Sequence, residues 1–473
     1  MNKLIVGTLI LGLLVGGVIY LPGQRRPNVV LVLSDTLRRD HLGTYGYDRD
    51  TSNHIDAFAA GAMLYENAYA QAPSTRPAVA SIFTSQYVSQ HSVVYNGDIL
   101  AAEHTTLAEV LADAGYATAG FLETGTIGRQ GRSERKNGAG YSQGFHTWVF
   151  AKGVREKQGT ERARVLEGFD AAVFSWIEQH RDEPFFLYLH YIDPHSPYNP
   201  LDGWAGYYDE APDTAMPSEP LHVGQKSMST GGEHSGSAKK HASWISRYDE
   251  EIRFIDHRFH GLIEHLETLD LIGDTLIIFI SDHGEAFGEH GYLHHSNSVY
   301  SELINIPLVV RYPDTIRYRL RHLGSDRRGR TSLAVQHIDI FPTILDVAGV
   351  SRDGLALEGL SLLDRGAVRN RTDSPIVVEH LRKEWGPDRQ RAVIQGRWKL
   401  VHSLDRNTYE LFDLEADGRD SANRLQEAAP EILRSLKAAL VSWEAGTQDG
   451  PEPAQMILDE SAREELKALG YLQ

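Results

Sequence analysis

Two uncharged apolar runs, each followed by an aspartate, constrain the fold of this chain most strongly. Pro27–Ser34 reads PNVVLVLS before Asp35, and Thr275–Ser281 reads TLIIFIS before Asp282. Runs of this length without polar alternation are typical of strands that are buried on both faces of a parallel sheet. Ligands bind outside the carboxyl ends of such strands, so we expect both aspartates to line one site.

Predicted strands and helices alternate on either side of these two runs. This alternation predicts an α/β fold with a mostly parallel mixed sheet flanked by helices. The other predicted strands are Ala117–Leu122, Phe185–Ile192 and Pro307–Tyr312, and the predicted helices are Leu107–Ala114, Glu161–His180, Ser246–Leu269 and Ile340–Val347. The Gly- and Ser-rich stretch Gly203–His241 is expected to be a surface excursion, either a binding loop or a disordered insertion.

The pattern changes after about Arg371, where shorter segments predict a small antiparallel sheet followed by a helix. The segments are Pro375–Glu379, Ala392–His402 with a turn at Gly396, Tyr409–Leu414, and the helix Glu431–Glu444. A chain of 473 residues is too long for one small core. We therefore expect a segment at 1–24, a catalytic domain at 25–370, a C-terminal subdomain at 371–446 and a tail at 447–473.

The N-terminal segment is the candidate for membrane attachment. Residues 4–21 are uncharged and lie between Lys3 and the pair Arg25 and Arg26. A helix of this length can cross the hydrocarbon core of a bilayer. Because residues 18–24 contain no strong small-x-small cleavage site, an uncleaved signal anchor is the first interpretation, and a cleaved signal peptide is the alternative. Either one predicts export to the periplasmic or extracellular face of the cell envelope.

Charge and cysteine content exclude some partners and some chemistry. The formal net charge of -17 argues against nucleic acid as a partner, since phosphate backbones require a basic surface. The chain has no cysteine, which excludes disulfides and thiolate chemistry. An acidic enzyme that acts on anions needs local positive charge, which a bound metal ion can supply.

The residues after the second apolar run resemble a metal-binding group. Asp282 is followed by His283, Gly284 and Glu285. Carboxylate oxygens suit Mg²⁺, Ca²⁺ and Mn²⁺, and the imidazole also admits Zn²⁺. An Asp-His pair after a strand is a weak signal when it is taken alone.

Thr75 stands before Arg76 and Pro77, at the start of a helix predicted over Pro77–Thr84. Threonine is a common helix N-cap, so one interpretation is simply a well-capped helix. The other interpretation is chemical, because a helix N-terminus stabilises anions and Arg76 adds positive charge. A hydroxyl bound there to a divalent cation could be deprotonated and act as a nucleophile.

Over roughly residues 26–444 the chain resembles the sulfatase branch of the alkaline phosphatase superfamily. The resemblance rests on several stretches that occur in the same order with sensible spacing. They are PNVVLVLSDTLRRDHLG from Pro27, APSTRPAVASIFTSQY from Ala72, FLYLHYIDPHSPY from Phe186, FISDHGEAFGEHG from Phe279, HHSNSVYSELINIPLVVRYP from His294, and GRWKLV with YELFDL from Gly396 onward.

The resemblance implies an alkaline phosphatase-like fold and one divalent metal ion. Its implied ligands are Asp35, Asp282, His283 and Thr75, with Thr75 also the nucleophile. It further implies that His195 and His295 contact the transferred anion or the leaving group, together with Arg76 as a substrate contact. The alternatives are that His195 only fixes its loop and that the neighbouring His294 takes the role of His295. His190, on a predicted strand, is interpreted as a packed histidine.

The chain departs from the sulfatase pattern at several positions. Sulfatases carry Cys or Ser, oxidised to formylglycine, at the position of Thr75, followed by x-Pro-x-Arg. Here Pro77 fits but Val79 replaces the arginine, and Thr36 replaces a second acidic residue after Asp35. The stretch 122–125 reads Leu-Glu-Thr-Gly, so the lysine and histidine that bind sulfate are missing. The resemblance therefore predicts no formylglycine.

These departures favour phosphate over sulfate chemistry. Formylglycine hydrate expels sulfate by breaking its own C–O bond, which threonine cannot do, whereas a phosphothreonine can be resolved by in-line attack on phosphorus. The first hypothesis is thus a phosphoester hydrolase or transferase acting on an anionic ester, with glycans and lipids as candidate carriers. The alternatives are a sulfatase without formylglycine and an inactive relative that binds an anion or glycan.

Overall fold

The computed structural model describes residues 25–128, 140–152, 154, 157–208, 235–316, 329–371, 375–382, 388–447 and 450. It confirms the α/β class, with a nine-stranded, mostly parallel sheet and a smaller antiparallel sheet of four strands. The strands are β1 (Asn28–Ser34), β2 (Met63–Tyr69), β3 (Ala117–Leu122), β4 (Thr147–Phe150), β5 (Phe185–Tyr191), β6 (Thr275–Ser281), β7 (Ala286–Phe287), β8 (Leu293–His294), β9 (Asn305–Ile306), β10 (Leu308–Arg311), β11 (Gly329–Gln336), β12 (Ile376–His380), β13 (Gln390–Gln395), β14 (Trp398–Ser403) and β15 (Thr408–Asp413).

The described helices cover both faces of the large sheet and one face of the small one. They are α1 (Asn53–Ala60), α2 (Thr75–Thr84), α3 (Val88–His91), α4 (Leu107–Asp113), α5 (Gly125–Gly128), α6 (Gly159–His180), α7 (Ser235–Thr268), α8 (Ser301–Ile304), α9 (Ile340–Ala348), α10 (Arg365–Arg369) and α11 (Pro430–Gly446).

The large sheet has the order β11-β2-β10-β6-β1-β5-β3-β4, with β9 beside β2. Along this path only β10 runs antiparallel to its neighbours. Strand β1 therefore lies between two parallel partners, β5 and β6, with Ser34 opposite both Tyr191 and Ser281. This register places the residues that follow the three strands at one edge of the sheet, as the two apolar runs predicted.

Both faces of the central strands are buried, which explains their unbroken apolar sequence. In β1, Val29, Leu31 and Leu33 pack into one core with helices α2, α4 and α9. The alternate residues Val30 and Val32 pack into a second core with α1, α6 and α7. The result is three layers, helices–sheet–helices, in which side chains alternate along each strand between the two cores.

The C-terminal strands form the antiparallel sheet β12-β13-β14-β15, with α11 on one face. Leu436, Leu440 and Trp443 of α11 pack on this face. The opposite face packs against residues near the large sheet, including Tyr69. At the β12 edge, the Glu379 N–H donates to the Gln71 carbonyl at 2.9 Å. The small sheet is thus bound to the large one through packing and a backbone hydrogen bond.

The edge formed by β15 is covered by the chain that follows it. The Arg424 N–H donates to the Leu411 carbonyl at 2.7 Å, and the Leu411 N–H donates to the Asn423 side chain at 3.1 Å. A backbone donor and acceptor on the outer side of this strand are therefore satisfied within the molecule.

Most predicted elements are confirmed to within a few residues, and three differences are informative. Helix α2 begins at Thr75 and its N-cap residue is Ser74, so Thr75 is the first helical residue rather than the cap. Helix α7 begins at Ser235, inside the stretch predicted as an excursion. Strands β2 and β11 were not predicted. The predicted domain boundaries are not tested by these elements and stay a prediction.

Residues 4–21, predicted to be a membrane segment, lie outside the described residues. Among the helices that the structure does describe, none has the length and apolar character needed to cross a bilayer.

Candidate active site

The two oxygens of the Asp282 carboxylate differ in their hydrogen bonds. Its Oδ1 accepts the backbone N–H groups of Thr36 at 3.1 Å and His283 at 2.8 Å. Its Oδ2 is buried and makes no hydrogen bond to any residue that the structure describes. A buried carboxylate oxygen without a hydrogen bond is costly unless a cation is bound, so this atom indicates a cation site.

The backbone after β1 is bent sharply to bring these groups together. Thr36 has a φ of 58°, in the left-handed region that β-branched residues rarely adopt. This conformation allows its N–H to reach Asp282, while the Asp35 N–H donates to the Tyr191 carbonyl at 3.0 Å. Strain of this kind costs about 1–3 kcal/mol and is common at functional sites. Thr36, which follows Asp35 where the family resemblance implies a second acidic residue, is buried.

Three of the predicted metal ligands surround the Nε2 atom of His283. This atom lies 3.4 Å from Asp282 Oδ2, 4.0 Å from Asp35 Oδ1 and 3.4 Å from Thr75 Oγ1. The other ring nitrogen, Nδ1, lies 2.9 Å from the carbonyl of Gly284, which can only accept, so Nδ1 carries the donated hydrogen. Nε2 then carries the lone pair that a metal ion requires.

Gly284 is required by the close packing of this loop. A Cβ atom built on it would lie 2.0 Å from the carbonyl oxygen of Glu302, and its N–H donates to the Leu303 carbonyl at 2.8 Å. Only glycine permits this approach, so the loop that carries His283 has a fixed path.

His190 also belongs to the site, although its sequence position suggested a packed histidine. Its Nε2 lies 3.4 Å from Asp35 Oδ2, and Asp35, His190 and Asp282 each offer one ligand atom within 4.8 Å of the others. The Tyr188 hydroxyl lies 2.8 Å from Nδ1 of His190. Burial lowers the pKa of His190 to about 4, so the ring is neutral at pH 7. The signal in the sequence is its place as the next-to-last residue of β5, beside β1.

His195 and His295 lie next to each other beside His283. Their ring centroids are 4.9 Å apart, and the His295 ring is 4.6 Å from that of His283. His295 Nδ1 lies 3.0 Å from Glu285 Oε1, and Tyr198 donates its hydroxyl to the other oxygen of Glu285 at 3.0 Å. A carboxylate on Nδ1 orients the ring and leaves Nε2 as the nitrogen for proton transfer.

His294, the alternative to His295, does not have the same contacts. Its backbone has a φ of 62°, and burial lowers the pKa of its imidazole. The ring contacts to His283 and His195 belong to His295. The geometry therefore favours His295 for the predicted role, which stays a prediction.

The Arg76 guanidinium is buried and donates to two backbone carbonyls. Its Nε and Nη1 donate to the carbonyls of Thr126 at 2.5 Å and Asp98 at 2.7 Å. Burial lowers the pKa of this guanidinium, although it stays charged. Its role as a substrate contact stays a prediction.

Two of the positions that lack the sulfatase residues have local structural roles. Val79 is fully buried in the core formed by α2 and the large sheet. Glu123 forms a buried ion pair of 2.6 Å with Arg258 of α7 and accepts the Ile192 N–H at 3.1 Å. Burial raises the pKa of Glu123 while the charge of Arg258 opposes that effect. The stretch that supplies a sulfate-binding lysine in the family here carries a paired carboxylate.

The described residues fit a divalent cation. Two buried carboxylates, two imidazoles and a hydroxyl converge, and one carboxylate oxygen has no hydrogen bond. Oxygen ligands suit Mg²⁺, Ca²⁺ and Mn²⁺, whereas a pair of imidazoles shifts the preference toward Zn²⁺ or Mn²⁺.

Comparisons with known proteins give a consistent picture. The sulfatase family model matches residues 27–350, and a model for the C-terminal part of N-sulphoglucosamine sulphohydrolase matches residues 288–445. An arylsulfatase of Clostridium perfringens is 26% identical over 92% of this chain and 97% of its own. An N-acetylglucosamine-6-O-sulfatase of Bacteroides thetaiotaomicron is 22% identical over 84% of this chain and 82% of its own.

Among solved structures, a phosphonate monoester hydrolase of Agrobacterium radiobacter has the same fold. The two structures match with a TM-score of 0.68 and 20% sequence identity, and the match covers 92% of this chain and 100% of the other chain. At this identity the likeness concerns the fold alone.

Proposed function

Because the chain belongs to the sulfatase family and is an ester hydrolase, we propose that it cleaves phosphate esters through a covalent intermediate on Thr75. The observation that carries this proposal is an intact threonine hydroxyl at the start of α2, 3.4 Å from Nε2 of His283. A threonine cannot become formylglycine, so the intermediate must be resolved by a second attack on the transferred group. Such an attack is feasible at phosphorus and difficult at a sulfate ester.

The proposed ligands of the metal ion are Asp35, Asp282, His283 and Thr75, with His190 adjacent. When bound there, a divalent ion supplies positive charge that lowers the pKa of the threonine hydroxyl and offsets charge on the phosphoryl oxygens. The two carboxylates and the imidazole of His283 are held by strand ends and backbone hydrogen bonds, so they need little rearrangement to bind the metal ion.

The proposed reaction has two steps. The Thr75 hydroxyl loses its proton to solvent and its oxygen forms a bond to phosphorus as the bond to the leaving oxygen breaks, while a protonated His195 or His295 gives its proton to the leaving oxygen. Water then gives a proton to the same histidine as it attacks phosphorus, the bond to Thr75 breaks, and the threonine oxygen takes a proton back from solvent. The position of Thr75 in the first turn of α2 adds the positive end of the helix dipole to the developing charge.

Glu285 supports His295 in this scheme. Its carboxylate lies on Nδ1 of the ring and is itself held by the Tyr198 hydroxyl. The arrangement stabilises the imidazolium that forms when Nε2 takes a proton, as a carboxylate does in catalytic triads. His295 is accordingly the residue we propose for proton transfer, with the ring of His195 next to it.

A second candidate is a sulfate-ester hydrolase that works without formylglycine. The relatives named above as sulfatases favour it. The paired Glu123 opposes it, because a sulfate-binding lysine is absent from that position. Glycans become candidate substrates through the same relatives, one of which is named for N-acetylglucosamine.

The deciding experiment is an activity assay of the purified full-length protein. Aryl phosphate, bis-aryl phosphate and aryl sulfate are compared with Mn²⁺, Mg²⁺, Ca²⁺ and Zn²⁺ added singly. Turnover of a phosphate ester that depends on metal and on Thr75 supports the proposal. Turnover of the sulfate alone would replace it with the second candidate.

We further propose that the protein acts on the outer side of the cell membrane, attached through residues 4–21. Their uncharged sequence between basic residues supports this location. Fractionation of cells, followed by protease treatment of intact cells or spheroplasts, tests it. Recovery in the cytosolic fraction would contradict it.

A further inference from the structure

The hydroxyl of Tyr248 bridges the turn that follows β1. It donates to the carbonyl of Thr36 at 2.7 Å and accepts the N–H of Arg38 at 2.8 Å. Tyr248 belongs to α7, so a helix that covers one face of the large sheet closes a turn at the edge of that sheet. One oxygen atom therefore holds the backbone on both sides of Leu37.

The position of this hydroxyl is fixed by the packing of its ring. Tyr248 is fully buried, and three rings meet it edge to face, those of His41, Tyr198 and Phe287, with centroid distances of 5.1, 5.7 and 5.0 Å. Burial raises the pKa of this phenol, so the oxygen keeps its hydrogen at neutral pH and can donate to the Thr36 carbonyl.

The turn that Tyr248 closes also holds one of the proposed metal ligands. Thr36 has a φ of 58°, in the left-handed region that a β-branched side chain disfavours. In this conformation the Thr36 N–H donates to Oδ1 of Asp282 at 3.1 Å. If Thr36 relaxed to an extended or helical conformation, this N–H would turn away and Asp282 would lose the hydrogen bond. An interaction from outside the turn must therefore offset the preference of Thr36.

The side chain of Thr36 does not provide that interaction. Its Oγ1 is buried and makes no hydrogen bond within the part of the chain that the structure describes. The next residue is held from the sheet, because the Leu37 N–H donates to the hydroxyl of Ser281, the last residue of β6, at 3.0 Å. The carbonyl of Thr36 itself is held by the Tyr248 hydroxyl from α7.

We propose that Tyr248 is a positioning residue for the metal site. Its hydroxyl holds Thr36 in the left-handed conformation, so the Thr36 N–H occupies Oδ1 of Asp282 and Oδ2 is left to bind the cation. The proposal rests on the proposed function only in taking Asp282 as a metal ligand, and it applies to a phosphate and a sulfate ester alike.

The test removes the hydroxyl and keeps the ring, so the aromatic packing is preserved. Tyr248→Phe should weaken the binding of Zn²⁺ and Mn²⁺ to the full-length protein about tenfold, the lower end of the effect of losing a group that orients a metal ligand. Competition against a chelating dye measures this affinity without turnover. The matched control is Tyr45→Phe, because the Tyr45 hydroxyl also bridges backbone groups: it donates to the Tyr65 carbonyl at 3.1 Å and accepts the Leu308 N–H at 2.9 Å. The control variant should keep the affinity of the unchanged protein.

A change at Thr36 separates the positioning role from a general loss of stability. Glycine adopts a positive φ without strain, so in a Thr36→Gly background Tyr248→Phe should weaken metal binding only about twofold. An equal loss in both backgrounds would overturn the proposal, and so would an unchanged affinity in Tyr248→Phe.

The proposed reaction fails in a different way. Absence of phosphate turnover by a protein that binds metal would refute that reaction and leave the comparison of metal affinities intact. Absence of metal binding by the unchanged protein would refute the metal site and the role of Tyr248 together.

Discussion

The hydroxyl oxygen of Thr75 and Nε2 of His283 lie 3.4 Å apart in the buried centre of the site, although 208 positions separate the two residues. The proposed nucleophile is thereby placed against a ring whose other nitrogen is fixed by a carbonyl. Few residue types could serve at position 75, since the group must be small and must carry a reactive oxygen.

The first prediction concerns that oxygen. Thr75→Ala should lower kcat with an aryl phosphate by a factor on the order of 10⁴, because the covalent route is lost. Thr75→Ser keeps the hydroxyl and should remain within about tenfold of the unchanged protein. Steady-state kinetics at saturating metal measures both, and an alanine variant with full turnover would refute the mechanism.

The second prediction concerns the metal ion. If His190 binds or orients the metal ion, His190→Gln should weaken the binding of Zn²⁺ and Mn²⁺ by about 10–100-fold. The control is His265→Gln, in a residue of α7 that stacks on Phe174 far from the large-sheet edge. Competition against a chelating dye measures affinity without an assay of activity. X-ray absorption of the Zn²⁺-loaded protein adds a count of the imidazoles that bind the metal ion. If this count is the same in the His190→Gln variant, His190 is not a ligand.

The third prediction concerns the ion pair between Glu123 and Arg258. Arg258→Met leaves a buried carboxylate with its main cationic partner removed and should destabilise the protein by about 3–5 kcal/mol. Combining it with Glu123→Gln removes the charge and should recover much of that loss. Urea unfolding of the two variants tests the coupling. If Arg258→Met and the double variant are equally stable, the unpaired charge of Glu123 is not the cause of the lost stability.

The fourth prediction concerns pH and His290. Burial disfavours its charge, but hydrogen bonds of 2.9 Å with Glu302 and with the Asp420 carbonyl outweigh burial and raise its pKa to about 8. The folded state therefore holds a proton more tightly than the unfolded state. The resulting stability, about 2 kcal/mol, is complete below pH 6.5 and is lost as the pH rises through 8.

The test compares unfolding free energies at pH 6 and pH 9. His290→Gln should flatten the difference that this residue causes, whereas His402→Gln should preserve it. His402 is a suitable control because it stacks on Tyr409 at the exposed side of the small sheet. A variant at position 290 with an unchanged pH profile would contradict the assignment.

The sequence predicted the central strands well because they are buried on both faces and uniformly apolar. It missed β2 and β11, which pair with each other in parallel near the edge of the sheet. Their sequences, MLYENAY and GRTSLAVQ, mix polar and apolar residues because several of their side chains are partly exposed. Whether such segments become strands depends on the neighbours they meet, which a local pattern does not contain.

Without the family resemblance, which also named Thr75, His195 and His295, the candidate site was predictable where a residue follows a recognisable run. Asp35, Asp282 and His283 follow strands and could be identified in that way. His190 lies within its strand, and its approach to Asp35 depends on the register that sets Leu33 opposite His190. The exchange of a family lysine for Glu123 was visible, but its partner Arg258 was not, because a helix 135 positions further along supplies it.

The covered edges of the small sheet bear on how these molecules behave at high concentration. At its two ends this sheet would otherwise present free strand edges, which are the usual sites of strand addition between molecules. The carbonyl of Gln71 accepts from β12, and the chain around Arg424 bonds to β15, so a neighbouring copy finds fewer open backbone groups there. We expect the protein to resist edge-to-edge aggregation through this sheet even when it is crowded at a surface.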